Sequence, residues 1–158
     1  MKKFGFVKVG AYVNKVALAN TLENAKKIVK GIKDASKKGV AIVSTPELAL
    51  TGYSCGDLFL QDKLIKGAED ALKVLLKETN KINIISIIGM PVKVGNDLVS
   101  AAVVINKGSI LGVVPKNSLG KYNGYDELRW FKNGSDICVD KIILVNQEVR
   151  FGTNLVFK

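Results

Sequence analysis

The sequence contains no histidine. That excludes every mechanism built on an imidazole base, and zinc sites with imidazole ligands. Any chemistry must fall to Glu, Asp, Lys, Cys or Tyr. Cysteine is scarce, and Cys55 and Cys138 give no disulfide framework. Arginine occurs only at Arg129 and Arg150, and aromatics make up 7% of the chain. The net charge of +10 is therefore carried by dispersed lysines. Nucleic-acid readers use guanidinium forks and stacking faces, so no nucleic-acid partner is expected. A basic field still attracts anionic ligands. No apolar run is long enough to span a bilayer. Lys8 interrupts "MKKFGFVKVGAYV", which otherwise starts like a secretion signal. No membrane partner is expected, and a cytoplasmic location is. A Walker loop ending at Gly120-Lys121 would need glycine at Pro115 and a hydroxyl residue at Tyr122, and no G-x-G-x-x-G follows a strand.

What is present is material for a core. The 158 residues are 47% hydrophobic, and a compact chain of this size buries roughly 70% of its unfolded surface. Residues 4–13 alternate like a strand. Residues 21–38 read as an amphipathic helix, with Leu22, Ala25, Ile28, Val29, Ile32 and Ala35 on one face and most lysines off it. Gly39 stops it. "VAIVS", 40–44, reads as a central strand, and 61–79 as a second amphipathic helix. Residues 82–90 return to strand, and Pro91 with "VGND" marks a turn. Residues 98–106 and 109–114 form a hairpin around Lys107-Gly108. Residues 115–131 are irregular with a short helix near the end, and strands and turns follow. The order β-α-β-α-β-β-β predicts an α/β domain with a mixed sheet and flanking helices. "NLVFK", 154–158, reads as a strand just beginning, so the chain is expected to be a segment of something longer.

Two charges stand where apolar strands end. Glu47 follows the 40–44 strand just past Pro46, and Lys116 follows another strand just past Pro115. Ligand sites gather at that edge of α/β sheets. Spacing alone does not separate a working pair from two ordinary loop charges.

The surrounding motifs go further. "PELALTGYSCGDLFLQD", 46–62, resembles the first motif of the nitrilase, or carbon–nitrogen hydrolase, superfamily. Its longer form is similar to the glutaminase domains of glutamine-dependent NAD synthetases. "GSILGVVPKNSLGKYNGYDELRWF", 108–131, resembles the second motif. The resemblance implies part of a nitrilase-like α-β-β-α sandwich, with residues 1–158 the N-terminal portion of such a domain, incomplete at its C-terminus. It implies Glu47 as general base, Lys116 as catalytic cation, Glu127 as the acidic residue supporting them, and Tyr122 lining a glutamine pocket. Glutamine hydrolysis would supply ammonia to a C-terminal synthetase domain that uses ATP and magnesium to amidate nicotinic acid adenine dinucleotide. No cofactor is implied in this chain itself. The family's nucleophilic cysteine lies in a third motif, beyond Lys158. Cys55 is expected to be a small packing residue and Cys138 a core residue. The family usually carries proline where this chain has Gly120, which implies a looser loop around Tyr122. An unfinished sheet is expected to self-associate into a homo-oligomer. Another amidase of the superfamily, or a non-catalytic assembly module, are the rival readings.

Overall fold

The computed structural model describes residues 5–122 and 125–157, without the side chains of Tyr122 and Tyr125. Its centre is a five-stranded sheet in the order β1-β2-β3-β4-β5. The strands are β1 (Val9–Ala11), β2 (Ile42–Ser44), β3 (Ile85–Val94), β4 (Asp97–Asn106) and β5 (Ser109–Pro115). The first three run parallel; β4 is antiparallel to both of its neighbours, β3 and β5. Helices α1 (Thr21–Lys37) and α2 (Asp62–Thr79) supply the parallel crossovers. The expected mixed sheet with packed helices is the observed one.

Each helix follows from its spacing. Asn20 caps α1 by accepting the Glu23 N–H at 3.2 Å. Ala25, Ile28, Val29 and Ile32 are buried, as periodicity requires. Leu22 is not; in the first turn it stays 48% exposed. Gly39, at φ 72°, ends the helix in the left-handed conformation glycine tolerates. Helix α2 buries Leu64, Ile65, Ala68, Leu72, Leu75 and Leu76. These faces meet alternate residues of the sheet, Ile88, Met90 and Val92 from β3 and Val99, Val103 and Ile105 from β4. Each such side chain, fully buried, contributes about 1.5–3 kcal/mol.

The structure departs from the expected elements in three places. The first strand covers only Val9–Ala11 of the alternating run. Pro91 is no turn; β3 runs through it to Val94, and the turn falls at Gly95-Asn96. Proline is tolerated because β2 pairs only with Ile85–Ile87, so β3 has a free edge at Pro91. Gly89, two residues earlier, directs its N–H and C=O away from β4, to Thr45 and Leu50. Pro91 shares that orientation. Finally, 154–157 is not a strand. Phe151 makes one parallel bridge to Val113, a turn follows at Thr153-Asn154, and Leu155 and Phe157 fold over Gly112.

Smaller elements complete the chain. The β4–β5 turn places Lys107 at φ 47° and Gly108 at φ 79°, the geometry a two-residue hairpin prefers. Strands β6 (Lys121–Tyr122) and β7 (Tyr125–Asp126) pair, as do β8 (Lys141–Leu144) and β9 (Gln147–Arg150). Short 3₁₀ turns make up Tyr53–Leu60, whose backbone leaves the helical conformation at Ser54 and Gly56, and Glu127–Arg129. A small second cluster of Leu48, Cys55, Phe59, Leu64 and Phe131 packs these loop segments together.

Candidate active site

Beyond β2 the chain stays on the sheet. Thr45 donates its N–H to Ile87 O at 2.9 Å, and its hydroxyl oxygen accepts the Gly89 N–H at 3.0 Å. Residues 46–48 then lie flat on Gly89. A Cβ there would meet Pro46 O and stand 2.8 Å from Leu48 N and 2.9 Å from Glu47 Cα. Leu48 turns the chain at φ 52° and is 1% exposed. Its carbonyl accepts the N–H groups of Thr51 and Gly52 at 3.1 and 2.7 Å. Glu47 is thus fixed by a buried neighbour and by the absence of a side chain beneath it.

Lys116 and Glu127 arrive from the other side. The Lys116 N–H donates to Ser100 O at 2.8 Å, and its C=O accepts the Gly134 N–H at 2.8 Å. Glu127 opens its 3₁₀ turn by donating its N–H to Gly120 O at 3.0 Å. The three side chains converge. Lys116 Nζ lies 3.1 and 3.0 Å from the Glu47 oxygens and 2.8 and 3.0 Å from those of Glu127. Glu47 and Lys116 are 69 residues apart in the chain. An ammonium has three protons, so these four contacts share them.

The two carboxylates are anchored unequally. Glu127, its side chain only 4% exposed, also accepts the Tyr53 hydroxyl at 2.8 Å and the Gly120 N–H at 2.5 Å. Among the described residues Glu47, 35% exposed, accepts one further hydrogen bond, from the Ser100 hydroxyl at 2.6 Å. Burial disfavours the Glu127 carboxylate, but the Gly120 N–H, Lys116 and Tyr53 together outweigh it and hold Glu127 below the usual range. Burial likewise opposes the Lys116 ammonium. Hydrogen bonds and charge from Glu127 and Glu47 overcome it and hold Lys116 above its ordinary value.

Lys116 stands between two clefts. One, of about 400 Å³, is lined by Glu47, Ser100, Gly89 and Ala102. The other, of about 370 Å³, is lined by Tyr53, Ser118, Gly120 and Glu127. A larger cleft of about 470 Å³ beside Trp130 and Phe131 contains none of the three. Its lysines are already paired, Lys93 with Asp62 and Lys132 with Asp97.

The structure therefore brings Glu47, Lys116 and Glu127 into one cluster. The Tyr122 side chain lies outside the described residues. Neither cysteine joins the cluster's hydrogen bonds. Cys55 is buried and donates to Thr51 O, and burial pushes its thiol up. Cys138 is exposed, not in the core as expected, and lines a separate surface hollow with Asp140 and Phe151. Sequence reading missed Ser100, Tyr53 and Gly89. A single hydroxyl inside "LVSAAVVIN" was the only trace of Ser100. Gly120 proves to be a donor to Glu127, which a proline there could not be.

The chain belongs to a known family. Residues 9–140 match the carbon-nitrogen hydrolase family, and the chain is a member of it. It is 35% identical, over 153 residues, to the glutamine-dependent NAD(+) synthetase of Mycobacterium tuberculosis, matching 97% of this chain and 22% of that protein. It is 36% identical over 113 residues to the corresponding synthetase of Aquifex aeolicus, 72% of this chain and 20% of that one. Among solved structures, the glutamine-dependent NAD(+) synthetase of Cytophaga hutchinsonii superposes with a TM-score of 0.81 at 23% identity, covering 92% of this chain and 25% of that one. An amidase from Nesterenkonia sp. AN1, with acrylamide added to its active-site cysteine, gives 0.66 at 19% identity, over 82% and 50% of the two chains. At these identities the structural likeness is one of fold.

Proposed function

We propose that the chain carries the Glu–Lys–Glu portion of a glutamine-hydrolysing site within a glutamine-dependent NAD synthetase. The observation that carries this reading is one ammonium held by two carboxylates from distant loops, at the junction of two clefts. The 35% identity to synthetases favours that parent over other amidases.

The chemistry needs a thiol, which these residues do not bring to the cluster; a segment outside them supplies it. A thiol with pKa near ~8.5 requires a base at neutral pH. Glu47 takes its proton as sulfur attacks the glutamine carboxamide. Lys116 stabilises the thiolate and the oxyanion. Glu47 returns the proton to the leaving nitrogen, the C–N bond breaks, and ammonia departs. Water, deprotonated by Glu47, then cleaves the thioester to release glutamate and restore the thiol. Glu127 holds Lys116 throughout, and Tyr122 lines the glutamine pocket. For Lys116 to turn a proton toward the oxyanion, one carboxylate must yield. Glu47, the less anchored, is the one that yields on accepting its proton.

The ammonia serves ATP- and magnesium-dependent amidation of nicotinic acid adenine dinucleotide in a partner synthetase domain. Among the described residues no group of three or more Cys, Asp or Glu side chains could hold a metal, and no step at this cluster is routed through ATP or metal. Self-association through the exposed β1 edge, where Val9 is 66% and Val13 75% exposed, belongs to the same proposal. No described helix is long and apolar enough to cross a membrane, in keeping with the proposed cytoplasmic location.

Two measurements test it. The 158-residue chain releases no ammonia from glutamine above background, since loss of a nucleophile costs on the order of 10⁶ in rate. In the product of the whole gene, Glu47→Gln abolishes NAD formation from glutamine and spares formation from added ammonia. Turnover by the 158-residue chain, or a variant that still uses glutamine, overturns the reading.

A further inference from the structure

The segment Tyr53–Leu60 grips the turn Glu127–Arg129 at two points. At one, Tyr53 donates to Glu127 inside the cluster. At the other, Asp57 sits outside it and binds the next residues of the turn. Its Oδ1 accepts Arg129 Nε at 2.7 Å and the Trp130 indole N–H at 2.9 Å, and its Oδ2 accepts an Arg129 terminal nitrogen at 2.8 Å. Phe59, from the same segment, packs on Phe131 and Trp130 with ring centroids 4.9 and 6.2 Å away. The Phe131 N–H in turn donates to Glu127 O at 2.8 Å. The clamp and the catalytic candidates therefore share one short backbone path.

We infer that Asp57 is a positioning residue: its fork on Arg129 and Trp130 holds the Glu127 turn at the distance that keeps the Glu127 carboxylate on Lys116. The inference rests on the reading of Lys116 as the working cation. Arg129 and Trp130 hold Asp57 down near about 2, so the clamp stays charged at any pH where the cluster works. Asp57 and Arg129 are 59% and 58% exposed, so solvent screening limits what the pair adds to global stability. A geometric role and a stabilising role are then separable. The groups facing Lys116 are Glu47 and Glu127, with Tyr53 on Glu127. Those facing Asp57 are Arg129 and Trp130.

The test is competitive acetylation of Lys116 at pH 8 in the 158-residue chain, read by peptide mass mapping against exposed Lys107. Only the unprotonated amine reacts, so each unit by which the ammonium is weakened raises the rate about tenfold. Glu127→Gln calibrates the readout and is expected to raise the Lys116 rate about tenfold. Asp57→Ala is expected to raise it several-fold, with the urea midpoint close to that of the parent. Emission from Trp130, the sole tryptophan, shifts as the indole is released. Should Asp57→Ala fail to fold, Arg129→Lys, which keeps the charge and loses the fork, is read instead and is expected to raise the rate. An unchanged Lys116 rate alongside a Trp130 shift and a responsive Glu127→Gln overturns the inference. A Glu127→Gln rate equal to the parent's refutes instead the prior reading of the cluster.

Discussion

Adding a single methyl group at residue 89 probes how Glu47 is placed. In Gly89→Ala the new Cβ would stand 2.8 Å from Leu48 N and 2.9 Å from Glu47 Cα, and closer still to Pro46 O. All three are backbone atoms, so no side-chain rotation relieves the contact. Restoring a tolerable separation requires the 46–48 segment to lift by at least about 0.5 Å. The Ser100–Glu47 bond starts at 2.6 Å and the Lys116–Glu47 contacts at 3.0 and 3.1 Å. A lift of that size stretches the former toward the limit for an O–H···O bond and the latter beyond that for a good N–H···O bond. The Leu50 N–H to Gly89 O bond, already 3.2 Å, is lost as well. Overpacking of this kind costs about 1–3 kcal/mol. Urea denaturation of the 158-residue chain measures the cost, and the Lys116 acetylation rate reports release of Glu47. The variant is expected to be less stable and to acetylate faster at Lys116. Parental stability with an unchanged Lys116 rate would refute the claim that close backbone contact at Gly89 positions Glu47.

Two further outcomes are expected. Glu127 is held below its ordinary 4.5, so its contribution to stability is full above that value and is lost as pH falls through the depressed one. Lys116 is held above its ordinary 10.5, so its contribution is full below that value and is lost as pH rises through the raised one. The stability gap between parent and Glu127→Gln is therefore expected to be flat between these limits and to close at acid pH. It is expected to be about 2 kcal/mol, less than for a fully buried pair because Lys116 is 31% exposed; a gap still constant well below pH 4 contradicts the assignment. With a thiol reagent at pH 8, Cys138 is expected to react at once and Cys55 only on unfolding, since the one is exposed and the other buried; rapid labelling at Cys55 in the folded chain would reopen it as a nucleophile.

Much of the fold was readable because its helices bury one face and its turns carry their own chemistry. Ile28 and Ile32, Leu72 and Leu75, and the Lys107-Gly108 turn stand where spacing puts them. Pro91 misled because proline is a breaker only where its N–H is needed, and whether β3 has a neighbour there depends on where β2 ends. The tail misled for a related reason: residues 155–157 are apolar enough for a strand, yet only Phe151 finds a bridge partner in the sheet. At the site, Glu47, Lys116 and Glu127 were marked by motif, and their side chains meet in the structure. Ser100 was hidden because its surroundings are those of a buried strand. Its hydroxyl matters only through Glu47, 53 residues earlier. Tyr53 was hidden likewise, its hydroxyl finding Glu127 from 74 residues away. Such partners are properties of the assembled sheet edge, not of any local stretch.

The same edge explains how two chemically identical carboxylates can hold different roles. Both lie within 3.1 Å of one ammonium, so charge alone cannot distinguish them. Their other partners can. Glu127 is buried, and its two oxygens are occupied by a phenol and a backbone N–H in addition to Lys116. Protonating it would forfeit those bonds inside a low-dielectric pocket. Glu47 has one hydroxyl partner, on one oxygen, and a third of its side chain faces the cleft. Among the described residues its second oxygen touches only Lys116, whose three protons are already shared among four acceptors. When that oxygen takes a proton, the ammonium loses little and gains a free donor for whatever anion the cleft then holds. On the proposed reading, this unequal anchoring is what lets Glu127 serve as scaffold and Glu47 as base. The same reading couples the proton transfer to the release of the cation that the transfer requires.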